Sequence, residues 1–306
     1  MSNFSKVINL LQYNRGKVCA VLLQSMSFLF PDKLYLTLLF RCKMGYWIDW
    51  KNPKTFSEKL QWLKLYNRKP EYTTMVDKFA VKEYVAKLIG EEYIIPTLGV
   101  WDTPEEINWD ELPNQFVLKT THDSGTVIVC KDKNEIDFKI VKKRLKKSLK
   151  KNYFYHGREW PYKNVKRRII AEQYMEDADG VLNDYKFFCF DGKVEAMFVA
   201  TERQNEYEDT KFDFFDKQYS HLPFCQGHQN ANEIPQKPNR FEKMIQLSEL
   251  LTLSIPQIRV DWYEIGNRIY FGELTFFHYG GIVPFEPQEW DYKFGEFISL
   301  PKIDNK

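Results

Sequence analysis

Arg259, Asp261 and Glu273 fall in the stretch RVDWYEIGNRIYFGEL, where apolar and polar residues alternate on either side of Gly266-Asn267. This is the pattern of a β-hairpin. A three-residue loop pairing Ile265 with Ile269 sets Asp261 directly across from Glu273, on a face shared with Arg259 and Tyr263. A slip by one residue would send the two carboxylates to opposite faces. Facing carboxylates repel unless something cationic lies between them, so the chemistry to expect here is the holding of positive charge.

Lysines and small polar residues form a second group. In QFVLKTTHDSGTVIVCKDKNE a strand over 116–120 breaks at His122-Asp123-Ser124-Gly125-Thr126 and resumes over 127–130. A small polar loop between strands exposes backbone N–H groups that can fold over phosphate oxygens, with Lys119 as a point charge beside them. An ordinary hairpin turn accounts for the same residues equally well. The loop is not a Walker loop, since the GK[ST] ending and the helix after it are missing. Further on, Asp184 and Lys186 occupy alternate positions on the first strand of a hairpin turned at Asp191-Gly192. They either face one cleft together or form a surface ion pair.

The elements that must carry these groups follow from periodicity. Residues 1–70 read as mainly helical, with Thr55 or Ser57 as a cap and Phe56, Leu60, Leu63 and Leu65 as apolar contacts. A second helical segment runs from Asp77 to Ile89 and ends at Gly90, and IIPTLGVW reads as a strand. From Lys139 to Lys151 eight Lys or Arg surround an apolar stripe of Phe138, Val141, Leu145 and Leu149, an amphipathic helix with a solvated basic face. Ile169 to Ala171 is a strand leading into Glu172-Gln173-Tyr174-Met175, the stretch from Tyr207 to Gln236 is polar and irregular, and RFEKMIQLSELLTL is a helix. His221, Cys225 and His228 lack the close spacing of a zinc set, so loop packing is the better account.

At 306 residues and 43% hydrophobic, the chain is too apolar for disorder and long enough for two or three lobes. A net charge of +2 gives no global field, and no nucleic-acid reading motif accompanies the one basic helix. Five scattered cysteines point to a reducing, intracellular setting without a disulfide framework. VCAVLLQSMSFLF, preceded by Arg15 and Lys17, has the look of a signal sequence but no small-residue cleavage site, so packing helices are expected. Contact with a membrane surface stays open.

Five blocks in order, NPKTFSEKLQWLKLYNR, VDKFAVKEYV, FVLKTTHDSG, NYFYHGREWPYKN and RVDWYEIGNRIYFGEL, resemble those of the ATP-grasp superfamily. The resemblance is closer still to its teichuronopeptide-biosynthesis (TupA-like) branch of bacterial surface-polysaccharide gene sets, and runs from about Lys33 to Trp290. It implies an α+β ATP-grasp fold, with the nucleotide held between two α+β lobes behind a helical N-terminal extension. The implied divisions are 1–70, 71–165 and 166–306.

The same resemblance implies roles for individual residues. Lys78 and Lys119 would contact phosphate, and His122, Ser124, Gly125 and Thr126 would belong to the lid. Glu172, Gln173, Tyr174 and Met175 would form the adenine-binding hinge, and Asp184 would meet the ribose. Lys186 would reach the triphosphate or acceptor, Arg259 would stabilise developing charge, and Asp261, Glu273 and Thr275 would bind Mg²⁺. Thr275 stands where the superfamily usually has asparagine, and FFHYGG places His278 and Tyr279 beside the site, where they are read as shaping acceptor binding.

The implied activity is an ADP-forming carboxylate–amine ligase using ATP and Mg²⁺ through an acylphosphate. It would join an amino acid or amine to a uronic acid of a surface polysaccharide such as a capsule. Glycosyl transfer, for which no convincing DxD motif is seen, and phosphoryl transfer without amide formation are the alternatives. The expected setting is the cytoplasm or the inner face of its membrane.

Overall fold

The computed structural model describes residues 16–177, 182–202 and 210–302. Arg15 and Tyr207, named above, lie outside them. Helix α1 covers residues 16–25, followed by α2 (Asp32–Met44), α3 (Phe56–Tyr66), α4 (Glu71–Val76) and α5 (Ala80–Ile89). A small antiparallel sheet has β1 (Thr97–Trp101), β2 (Phe116–Thr120), β3 (Val127–Cys130) and β4 (Ile169–Gln173) in the order β1-β4-β2-β3. It is backed by α6 (Phe138–Leu149), and the short α7 (Phe154–Gly157) follows.

The larger sheet has six strands. These are β5 (Asp184–Phe190), β6 (Lys193–Thr201), β7 (Lys211–Asp216), β8 (His221–Leu222), β10 (Ile258–Ile265) and β11 (Arg268–Thr275), in the order β11-β10-β5-β6-β7-β8. A minor pair, β9 (Cys225–Gln226) with β12 (Phe285–Glu286), lies beside it, and α8 (Phe241–Leu251) and α9 (Glu289–Phe297) complete the chain. Among the described residues no helix is long and apolar enough to cross a membrane.

Local chemistry sets several of these boundaries. Thr55 accepts from the backbone N–H of Glu58, whose carboxylate accepts from the backbone N–H of Thr55, so α3 begins in a capping box. Asp137 caps α6 by accepting from Lys139 and Ile140, and Val141 and Leu145 turn into the small sheet's core while the lysines stay in solvent. All seven residues of β5 are buried, as a central strand covered on both faces requires. Along β10, Val260 and Trp262 face α8, where the Trp262 indole N–H donates to Ser248 Oγ at 2.8 Å. The intervening Arg259, Asp261 and Tyr263 point the other way, toward the small sheet.

The structure departs from expectation in three places. β4 lies beyond residue 165 yet pairs with β1 and β2, while Val81 and Val85 of α5, with Tyr162 and Val165, join the large sheet's core. KFDFFD, placed in the irregular stretch, is strand β7: three buried phenylalanines and a buried Asp213 pair it to β6 without simple alternation. The β10–β11 turn is closed by Gly266-Asn267 alone, with Ile265 opposite Arg268. Asp261 still faces Glu273 because a bulge follows Asp261 in the register, with Gly272 the additional residue. A Cβ at Gly272 would sit 3.0 Å from the Asp261 carbonyl oxygen, so the bulge suits glycine.

Helix α9 ties the N-terminal helices to this sheet. Asp291 Oδ1 accepts from the backbone N–H of Ser57 at 2.8 Å, and Gly295 lies so close that a Cβ there would approach the Lys54 carbonyl oxygen to 2.2 Å. Gly295→Ala is therefore expected to lower unfolding free energy by about 1–3 kcal/mol through overpacking. Urea denaturation measures this, and an unchanged midpoint would show that the helices do not dock in this way.

Candidate active site

Three adjacent strands bring the charged residues into one patch. Lys186 on β5 lies opposite Asp261 on β10, which lies opposite Glu273 on β11, and the neighbouring row joins Arg259 to Thr275. Arg259 clasps Asp261 from Nε to Oδ1 at 2.6 Å and from Nη2 to Oδ2 at 2.7 Å. Nη2 also donates to Glu273 Oε1 at 3.0 Å and Thr275 Oγ1 at 3.1 Å, and Nη1 reaches His278 Nδ1 at 2.8 Å. Lys186 contacts Asp261 and, at 2.6 Å, Asp184. The cation anticipated between the carboxylates is thus supplied by the chain itself.

Protonation follows from this arrangement. Burial raises Glu273, but Arg259, Lys186 and Lys78 outweigh it and hold the carboxyl at about 2. Burial pushes Asp261 up against the pull of Arg259 and Lys186. His278 is held well below its ordinary value by burial and then by Arg259 and Lys186, so Nδ1 accepts from Arg259 and Nε2 carries the hydrogen.

A cavity of about 390 Å³ lies between the sheets. Its charged rim comprises Lys78, Lys119, Glu172, Asp184, Lys186, Asp261 and Glu273, and the lid residues Ser124 and Gly125 close one side. Gln173, Tyr174 and Met175 leave β4 along its edge, while Val117, Val127 and Val129 of the β2–β3 hairpin supply an apolar wall. The side chains of Val127 and Val129 are exposed to this space. Glu172 forms 2.5 Å ion pairs with Lys119 and with Lys82 of α5, and burial's upward push on its carboxyl is outweighed by the two lysines.

The lid is held by Asp123, whose carboxylate accepts from Thr120, Thr126 and Ser148, while Lys78 Nζ donates to its carbonyl oxygen. His122 is buried beside the Ser148 carbonyl oxygen and Thr126 is turned to Asp123, so neither lines the cavity.

A second cavity, of about 510 Å³, shares Ser124, Lys186 and Glu273 with the first. Arg259 and Thr275 line this one instead, with Glu159, Tyr153, Tyr162, His228, His278 and Tyr279. Tyr279 has φ +50°, a left-handed conformation costly for a non-glycine residue. Its ring stacks with those of Phe212 and His228 along one wall.

The donor set fits magnesium in kind. Asp261, Glu273 and Thr275 offer hard oxygens, and among the described residues no hydrogen bond reaches Glu273 Oε2. Both Asp261 oxygens are engaged by Arg259, and among the described residues no three His, Cys, Asp or Glu side chains form a complete cage. Magnesium sites completed by substrate phosphates need only one or two carboxylates.

Two antiparallel lobes meeting at a lysine-lined cleft with a small-residue lid define this as an ATP-grasp fold. The chain belongs to the TupA-like ATP-grasp family, whose profile matches residues 58–299. Among curated proteins none matches the sequence. Of solved structures, D-alanine–D-alanine ligase from Bacillus anthracis complexed with ATP is similar at 16% identity and TM-score 0.38, covering 66% of this chain and 55% of that one. The Helicobacter pylori D-alanine–D-alanine ligase gives 16% and 0.38, covering 80% and 69%. The ADP complex of N5-carboxyaminoimidazole ribonucleotide synthetase gives 13% and 0.41, covering 72% and 50%. The chain thus spans just over half the length of the Bacillus enzyme.

Sequence reasoning did not single out Lys82, Glu159 or Lys64. Lys82 follows Lys78 by four residues in VDKFAVKEYV, and Glu159 sits inside NYFYHGREWPYKN, so both carried a faint signal. Lys64 carried none.

Glu273 makes a testable contribution to acid stability. Between the ordinary glutamate value of 4.5 and its folded value of about 2, the unfolded chain binds a proton that the folded chain excludes. The stabilisation is complete above about pH 4.5 and lost as pH falls toward about 2. Glu273→Gln is expected to lose less stability than wild type between about pH 7 and about pH 3 in urea denaturation. Parallel losses would contradict the assigned ionisation.

Proposed function

We propose that the chain is an ADP-forming ATP-dependent ligase that joins an amine or amino acid to the carboxylate of a uronic acid in a bacterial surface polysaccharide. The observation that carries this reading is the common wall of the two cavities. Lys186, Glu273 and Ser124 line both, so the lysine-lined cleft adjoins a separate pocket where an acceptor would sit.

The first cavity suits ATP. Its valine wall and the backbone of Gln173 to Met175 would take adenine, Asp184 the ribose, and Lys78, Lys119, Lys186 and the lid N–H groups the phosphates. Mg²⁺ held by Glu273, with Asp261 and Thr275 beside it, would supply charge neutralisation for the transferring phosphoryl group. An acceptor carboxylate in the second cavity would attack the terminal phosphorus to give an acylphosphate. Arg259, on that side of the wall, would stabilise the oxyanion formed when the amine attacks.

Family membership supports the polysaccharide setting, and the Phe212, His228 and Tyr279 rings offer a flat apolar wall for the C–H face of a sugar. A need for ATP would suit work in the cytoplasm or at the inner face of its membrane.

Incubation with ATP, Mg²⁺, uronic acids and amino acids, followed by mass spectrometry, is expected to give ADP, phosphate and a product containing both substrates. Glu273→Gln is expected to slow turnover by about 100-fold or more. A phosphorylated sugar lacking the amine would instead establish a phosphotransferase, and absence of ATP binding would remove the nucleotide assignment.

A further inference from the structure

Glu159 faces the second cavity from the side of the N-terminal helices. Its residue is only 6% exposed, and it lines this cavity. A mostly buried carboxylate that opens onto a cavity among other ionisable groups is the kind of residue that clusters at sites of chemistry. Its orientation is imposed by the residue before it. Arg158 adopts φ +55° and buries its guanidinium over the Tyr35 ring, with Nε 2.9 Å from Asp32 Oδ1 and Nη2 donating to the Ser27 carbonyl oxygen. With Arg158 anchored there, Glu159 is presented to the cavity.

The surroundings suit a group that gains and loses a proton. Lys64 of α3, fully buried, donates to Gln61 Oε1 at 3.1 Å and to the Gly280 carbonyl oxygen at 2.8 Å. Gly157 and Gly280 separate this ammonium from Glu159: a Cβ on Gly280 would lie 3.6 Å from Glu159 Oε1 and 3.7 Å from Lys64 Nζ. Burial raises Glu159 to about 7, with Lys64 opposing, and lowers Lys64 to about 8. Tyr153 and Tyr162 complete its near surroundings, and Tyr162 feels both Glu159 and Glu273. His156, Arg259 and Glu273 line the same cavity.

We propose that Glu159 is the general base of amide formation, binding the incoming amine as its ammonium and removing one proton before attack. Glu159 has this role only if the ligase reading holds. The free amine's lone pair forms the C–N bond to the acyl carbon of the acylphosphate. The C–O bond to phosphate then breaks, its electron pair leaving with phosphate, which takes the second nitrogen proton to depart as hydrogen phosphate. The proton on Glu159 returns to solvent.

Hydroxylamine, uncharged near neutral pH, separates this role from the rest of the reaction because it needs no prior deprotonation. Wild type, Glu159→Gln and Glu159→Asp would be assayed at about pH 7.5 with ATP, Mg²⁺, glucuronic or galacturonic acid, and either glycine or hydroxylamine. Glu159→Gln is expected to lower amide kcat by about 100-fold or more while hydroxamate formation falls less than about fivefold, with Glu159→Asp recovering part of the amide rate. The inflection near about pH 7 in the wild-type profile of amide kcat/KM should be missing in Glu159→Gln, leaving only the slope set by the free glycine amine.

Equal loss of both products, with ATP affinity retained, would assign Glu159 a structural role and overturn the proposal. So would amide formation within about threefold of wild type. Neither product from wild type with either sugar would refute the ligase reading and remove this role with it.

Discussion

The Arg259–Asp261 clasp is the constraint around which the site is arranged. Two carboxylates on the adjacent strands β10 and β11 would repel, and burial alone disfavours their ionised forms. A planar guanidinium donating to both, with Lys186 against Asp261 from the next strand, makes the patch tolerable. Buried ion pairs seldom add net stability over apolar packing, so this cluster is better explained by the charge chemistry it allows.

Holding such a cluster requires rigid strands and a dry surround. β5 and β10 are interior strands of the six-stranded sheet, with α8 sealing the face opposite the charges. On the charged face, Phe188 and Phe198 pack against His278 beside Arg259, whose other side lines the second cavity. The N-terminal helices belong to the same construction. Gln61 and Lys64 of α3 hold the backbone at Gly280 and Gly281, fixing the segment that carries His278 and Tyr279.

One wall with two sides then organises the chemistry. Lys186 and Glu273 face both cavities, while Lys78, Lys119 and Glu172 face only the first and Arg259, Glu159 and Tyr279 only the second. The charge facing the first cavity and the charge facing the second are thereby segregated yet adjacent. The lid is local to the small sheet, with Asp123 binding it to α6 through Ser148, so its position is coupled to the lobe that carries Lys119.

The hairpin, the capped start of α3, the basic amphipathic α6 and the facing of Asp261 with Glu273 were legible in the sequence, because each depends on residues near one another and on a regular period. The path to that facing was misread. A bulge and a longer loop give the same pairing, and only the contact of Gly272 with the Asp261 backbone distinguishes them. Strand β7 was hidden because its phenylalanines run together instead of alternating, and the division between lobes was misplaced because α5 and β4 choose partners far away in sequence. The residue types by themselves determined that this chain carries lysines, paired acids and a small-residue loop in an order suited to phosphate chemistry. Tertiary structure alone decided that Lys82 meets Glu172, that Lys64 lies near Glu159, and that Arg259 neutralises the acids from the side of the second cavity. Those are contacts between distant segments, set by how apolar faces pack, and no local period encodes them.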